Sequence, residues 1–128
     1  MYHTLILAGN VGGEPAMRFT PAGKAVTSFS VAVSDGFGDK KHTIWFRVSA
    51  WDKLAETCNQ YLHKGSKVLI EGRLIADKET GTPRIFTRQD GTTSASYEIN
   101  ATTVRFLSNK NETVPSDENS DANSEIPF

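Results

Sequence analysis

The chain has 128 residues, enough for one domain with a sizeable core. Its single cysteine, Cys58, excludes an intrachain disulfide framework and a thiolate cluster for a structural metal. The formal charge of −1 hides an asymmetry: residues 1–107 hold 13 Lys/Arg against 10 Asp/Glu, whereas residues 108–128 set Lys110 against Glu112, Asp117, Glu118, Asp121 and Glu125. A mildly basic body suits a polyanionic partner, and an acidic tail can compete with that partner.

Residues from Met1 to Gly9 lack the basic region and apolar run of a secretory signal, and no later run reaches membrane-spanning length. A soluble, cytoplasmic protein is expected. His3, His42 and His63 are scattered rather than set at ligand spacing, so no metal is assigned. The glycines Gly9, Gly12 and Gly13 precede no Gly-Lys-Ser/Thr; they suggest a bend or bulge rather than a phosphate loop, and no cofactor is expected.

In chain order, period-two alternation predicts strands over Tyr2 to Val11 and, after the Pro21-Ala22-Gly23 turn, Ala25 to Val33. The glycine-bearing loop Asp35 to Lys41 leads into a third strand, His42 to Trp51. Lys53 to Lys64 reads as the one helix, with Leu54, Cys58, Tyr61 and Leu62 at helical spacing as packing residues, Asp52 as cap and Gly65 as stop. Val68 to Asp77 and Ser94 to Leu107 complete the strands, and the loop between them, Lys78 to Thr93, is long enough to suggest a function. Residues 108–128 bury too little apolar area to order themselves and read as a disordered acidic tail. Three strands, a helix and two strands is the element order of an OB-fold, a five-stranded barrel of the all-β class, over residues 1–107. Other small barrels satisfy the same periodicity.

Within His42 to Trp51, alternation puts Ile44, Phe46, Val48 and Ala50 on a core face, and Thr43, Trp45, Arg47, Ser49 and Trp51 on the opposite face. Two tryptophans flanking an arginine on a solvent face call for a cover. Stacked nucleobases would provide one; so would a loop or a subunit interface. Phe37, between Gly36 and Gly38, and Phe86, between Arg84 and Arg88, sit in loops with basic neighbours, as in an arm that wraps a nucleic-acid strand; each could instead pin its loop to the barrel. Arg18, Lys53 and Arg73 are candidate phosphate contacts whose weight is collective. The acid pairs Asp35/Asp39 and Asp77/Glu79 fall in loops or at strand ends, where they cap turns or stay solvated. No nucleophile with a base, paired acids or metal cage can be assembled, so no enzyme is expected. The polar tail ends in a lone apolar cluster, Ile126-Pro127-Phe128, with a free carboxylate, a combination that could fill a pocket on a partner.

These residues resemble the bacterial-type single-stranded DNA-binding proteins. The resemblance runs from Leu5 to Leu107 and rests on Gly9-Asn10-Val11-Gly12 with Glu14-Pro15 and Arg18-Phe19; on Trp45-Phe46-Arg47-Val48; on Lys53-Leu54-Ala55-Glu56, Tyr61-Leu62 and Lys64-Gly65-Ser66; and on Val68 through Gly72. It returns at Ile126-Pro127-Phe128. It implies an OB-fold, assembled as a homotetramer, that binds single-stranded DNA with little sequence preference in replication, recombination and repair. It further implies a nucleoid-associated location and recruitment of partner enzymes by the C-terminal tip. Trp45, Trp51, Phe37 and Phe86 match the family's base-stacking positions; beside them, Arg47, Arg18, Lys53, Arg73, Arg84 and Arg88 are expected DNA contacts on the residues' own chemistry, Arg47 through a phosphate or by stacking. Phe37 and Phe86 stand where tryptophan is frequent, Trp51 where phenylalanine is common, and Phe46 where histidine is often found near a subunit contact. The Lys78 to Thr93 loop is longer than is typical of the family. The competing reading is an OB-fold assembly module whose aromatic face binds protein.

Overall fold

A computed structural model describes residues 1–107; the acidic tail and its tip, Ile126 to Phe128, lie outside the described residues. The elements are β1 (Leu5–Val11), β2 (Ala16–Phe19), β3 (Ala25–Asp35), a single 3-10 turn (Gly38–Lys40), β4 (His42–Trp51), α1 (Asp52–Tyr61), β5 (Lys67–Leu74), β6 (Ile85–Thr87), β7 (Thr93–Ala95) and β8 (Tyr97–Phe106). Five strands close on themselves in the order β1-β5-β8-β4-β3, with β3 returning to β1 through Asn10↔Ala32 and Val11↔Val31. The β4–β8 seam is parallel and the others antiparallel. This is the closed barrel, with one helix between its third and fourth strands, that the alternation predicts.

Closure requires β1 and β3 to approach closely, and Gly9 allows it. A Cβ at that position would stand 2.2 Å from the Ala32 carbonyl oxygen. Inward residues from every barrel strand then meet in one core, including Leu7, Phe29, Val48, Ile70 and Ile99. Buried apolar area of this kind is the main stabilising contribution to the fold. Helix α1 covers one end of the barrel with Ala55 and Cys58 buried, and Leu62 follows them into the core. Buried Thr27 of β3 ties sheet to helix by donating its hydroxyl to the Ala55 carbonyl at 2.6 Å. No helix among the described residues is long and apolar enough to cross a membrane.

Several local expectations change. The helix runs from Asp52 to Tyr61 rather than Lys53 to Lys64, and Asp52 is not its cap. The cap position is Trp51, which makes no side-chain capping bond, while Asp52 takes φ 56°, the left-handed region. The helix stops at Leu62, and Gly65 instead forms the following turn, donating its N–H to the Val11 carbonyl at 2.7 Å. Tyr61 lies exposed beside Phe106, ring centroids 6.1 Å apart, because the barrel end is already filled by Cys58 and Leu62. A short strand absent from the sequence reading, β2, folds back onto β3. Residues 78–93 are not all loop: β6 and β7 pair as a separate hairpin, and the expected last strand breaks at Ser96.

Candidate nucleic-acid interface

Strand β4 carries the center of the site. Its inward side chains Val48 and Ala50 are fully buried, so Trp45, Arg47 and Trp51 point outward by the pleat. Trp45 is 54 % exposed and Trp51 38 %. The indole of Trp45 lies against the backbone at Gly12, just past the end of β1. Trp51 is oriented differently: its indole N–H donates to Asn100 Oδ1 of β8 at 3.0 Å, directing the ring across the parallel seam.

The β6–β7 hairpin comes over Trp45 from the side. Together they bound an open cleft of about 560 Å³ lined by Ser30, Trp45, Phe46, Arg47, Arg84, Ile85, Phe86, Ser96 and Glu98. Four of the expected residues, Trp45, Arg47, Arg84 and Phe86, therefore meet in one cavity. Phe46, placed by alternation on the core face, packs against the core but also reaches this cleft, and its ring meets Tyr97 at 5.7 Å between centroids. Arg47 is shared with a second, more polar hollow of about 220 Å³, which Arg18, Ser28, Ser30, Gly13 and Glu14 also line. Among the described residues, no ion pair engages Arg18 or Arg47. The Glu14 carboxylate is occupied: it accepts the Lys64 N–H at 2.8 Å and faces His63 at 3.6 Å, and that backbone bond above all holds it below the usual carboxylate range.

Not every expected residue converges. Phe37 is 93 % exposed on its loop, and neither it nor Lys53 lines either cavity. Arg73 stacks on Tyr2, 5.9 Å from the ring centroid, on the outer face of β5. Arg88 reaches across its hairpin to Ser94 Oγ at 2.9 Å. Arg84 is not a free cation: it grips the Glu98 carboxylate through Nε at 3.1 Å and through a terminal nitrogen, and Glu98 is the main reason its guanidinium holds its proton more tightly than usual.

The sequence reading passed over Glu98, Asn100 and Ser30. The available signal is alternation: Glu98 and Asn100 take outward positions of β8, alternating with buried Ile99 and Ala101, and the register sets them opposite Arg47 and Ser49 of β4. Chemically, two rings over an open cleft offer stacking surface to any flat π system, and the Arg18 and Arg47 guanidiniums, which no carboxylate pairs among the described residues, suit phosphate in the adjacent hollow.

Comparison with known proteins agrees with this arrangement. Over 92 residues, 65 % of its length, the chain is 41 % identical to the single-stranded DNA-binding protein 1 of Chlorobaculum tepidum. It is 36 % identical over 113 residues to the single-stranded DNA-binding protein of Neisseria meningitidis serogroup A, and 38 % over 114 residues to that of Xanthomonas axonopodis pv. citri, matching 84 % of this chain in each case. These matches span only 57–61 % of the relatives' own lengths. The model of the single-strand binding protein family matches residues 2–107, and the chain belongs to that family.

Proposed function

We propose that the chain binds single-stranded DNA with little sequence preference, coating it during replication, recombination and repair. The observation that carries this reading is the shared position of Arg47, which lines both the aromatic cleft of Trp45 and Phe86 and the polar hollow of Arg18. Bases stack in the cleft while the backbone phosphate lies in the hollow, so successive nucleotides follow β4 toward Trp51. Stacking on Trp45, Trp51 and Phe86 contributes about 1 to 3 kcal/mol per base and is indifferent to base identity. Arg18 and Arg47 supply the phosphate contacts nearest the cleft, with Lys53, Arg73 and Arg88 further out and Phe37 able to join from its loop.

The same reading includes assembly as a homotetramer, a cytoplasmic, nucleoid-associated location, and recruitment of replication and repair enzymes by Ile126-Pro127-Phe128, which rests on sequence alone. Light scattering tests the assembly. Removing Ile126 to Phe128 tests the recruitment: DNA affinity should hold while partner capture is lost.

The primary test is tryptophan fluorescence of the full chain titrated with a thymine homopolymer at several salt concentrations. Quenching and an affinity that falls steeply with salt are expected. Unchanged emission, or equally poor binding of single and duplex strands, would overturn the reading in favor of a protein-assembly role.

A further inference from the structure

The β6–β7 hairpin stands apart from the barrel. The two strands pair only with each other, and the backbone of neither packs against any other element. Its C-terminal root is tied to β8 through the single residue Ser96, so its pose over the cleft is completed by side chains on the longer segment that leads into β6. Early on that segment, Asp77 organises a turn by accepting the N–H groups of Glu79 and Thr80. At its end, Arg84 stands immediately before Ile85 and Phe86, both of which line the cleft. Its guanidinium makes a two-point bond to Glu98.

The two partners differ in exposure: the Glu98 side chain is 14 % exposed and that of Arg84 54 %. Fork-to-carboxylate bonding fixes direction as well as distance. A largely buried carboxylate that loses its partner is left uncompensated, which is strongly unfavorable. Pulling Arg84 onto a phosphate would also leave the Glu98 charge in the cleft beside that phosphate. Both effects oppose release of the pair.

We infer that Arg84 and Glu98 are positioning residues, a latch that holds the hairpin so that Phe86 faces Trp45 across the cleft, rather than a phosphate contact and its neighbor. The inference rests on the single-stranded DNA reading for its consequence but not for its geometry. Glu98→Gln and Arg84→Gln should then act alike. Each loosens the arm, and each weakens thymine-homopolymer affinity by about tenfold, the equivalent of one lost stacking partner. The double variant should be no worse than either single one, the slope of affinity against salt should stay as in wild type, and the exchanged pair Arg84→Glu with Glu98→Arg should recover binding.

If Arg84 instead meets phosphate, Arg84→Gln lowers the salt slope by about 0.7 and Glu98→Gln tightens binding. Either result overturns the latch. A DNA-free readout separates this from the functional reading: trypsin should cut after Arg88 several-fold faster in both Gln variants than in wild type, with the barrel's thermal unfolding unchanged in Glu98→Gln, which leaves no unpaired carboxylate on β8. Equal cleavage rates would sink the latch even if the wild-type chain binds DNA well. Fast cleavage in a chain that binds no DNA would uphold the latch and sink the functional reading.

Discussion

The indole of Trp45 lies so close to Gly12 that a Cβ on this glycine would stand 2.5 Å from Trp45 Cζ3. Gly13, its neighbor, has nothing within 4 Å of the same point. Gly12→Ala should therefore push the indole off its seat and weaken thymine-homopolymer binding by about tenfold, close to the loss of one stacked base. Gly13→Ala adds a methyl to the rim of the polar hollow but leaves the Trp45 indole on its seat, so it should cost clearly less affinity than Gly12→Ala. Fluorescence titration of the two variants side by side checks this, and equal affinities would mean that the seat of Trp45 is immaterial.

The two tryptophans should not respond alike to conservative replacement. Trp45→Ala and Trp51→Ala should each reduce affinity by about 1 to 3 kcal/mol. Trp51→Phe keeps a ring but loses the N–H bond to Asn100 Oδ1, so Asn100→Ala should reproduce most of its effect. Isothermal titration of Trp51→Phe, Asn100→Ala and the double variant tests whether the two losses overlap, as a shared bond requires.

Much of this site was legible in β4 because a half-buried strand writes its two faces into alternate residues. Trp45, Arg47 and Trp51 had to share one face once Val48 and Ala50 were inside. The hairpin was not legible, since three-residue strands such as Ile85–Thr87 and Thr93–Ala95 are too short to show a period, and they lie among turn-forming Gly and Asp residues. Strand β2 escaped for the same reason, its four residues being mostly exposed. Tyr61 shows the reverse failure: helical spacing places it near Cys58 and Leu62 but does not say that these two already fill the barrel end. Alternation places Glu98 outward on β8 but does not name its partner, because Arg84 is 14 residues away and only the fold brings them together.

Arg18 and Arg47 line the same polar hollow without a carboxylate pairing either of them among the described residues. A phosphate contact on a single strand contributes about 0.7 to the slope of log affinity against log salt. Arg18→Ala and Arg47→Ala should each lower that slope by about this amount, and the double variant by about twice as much. Titrations at four salt concentrations give the slopes directly. A drop in affinity at constant slope would assign the arginines to packing.

Asp52 is the one non-glycine among the described residues with positive φ, at 56°. An L side chain in this region is strained, although Asp tolerates it better than most. Asp52→Gly should relieve the strain at some cost in unfolded-chain entropy, for a net gain of about 0.5 to 1 kcal/mol. A thermal melt should show Tm rising by roughly 2 to 6 °C. A lower Tm would mean that the Asp52 carboxylate is worth more at the helix start than the backbone strain it imposes.

Burial pushes the Cys58 thiol up to about 11 from an ordinary value of 9.0, because the core offers the thiolate no solvation. The folded chain therefore keeps this proton at pH values where the unfolded chain has lost it. With the folded value raised, the contribution to stability is fully present below pH 9 and is lost as pH climbs through about 11. Denaturant unfolding of wild type and Cys58→Ala between pH 8 and pH 11 isolates this dependence from that of the other groups titrating in the range. The stability gap between the two proteins should narrow toward alkaline pH, and the native thiol should react slowly with alkylating reagents at pH 8 because it is both protonated and enclosed. Rapid alkylation of the folded chain, or a gap independent of pH, would show that the barrel end under α1 opens far more often than its packing implies.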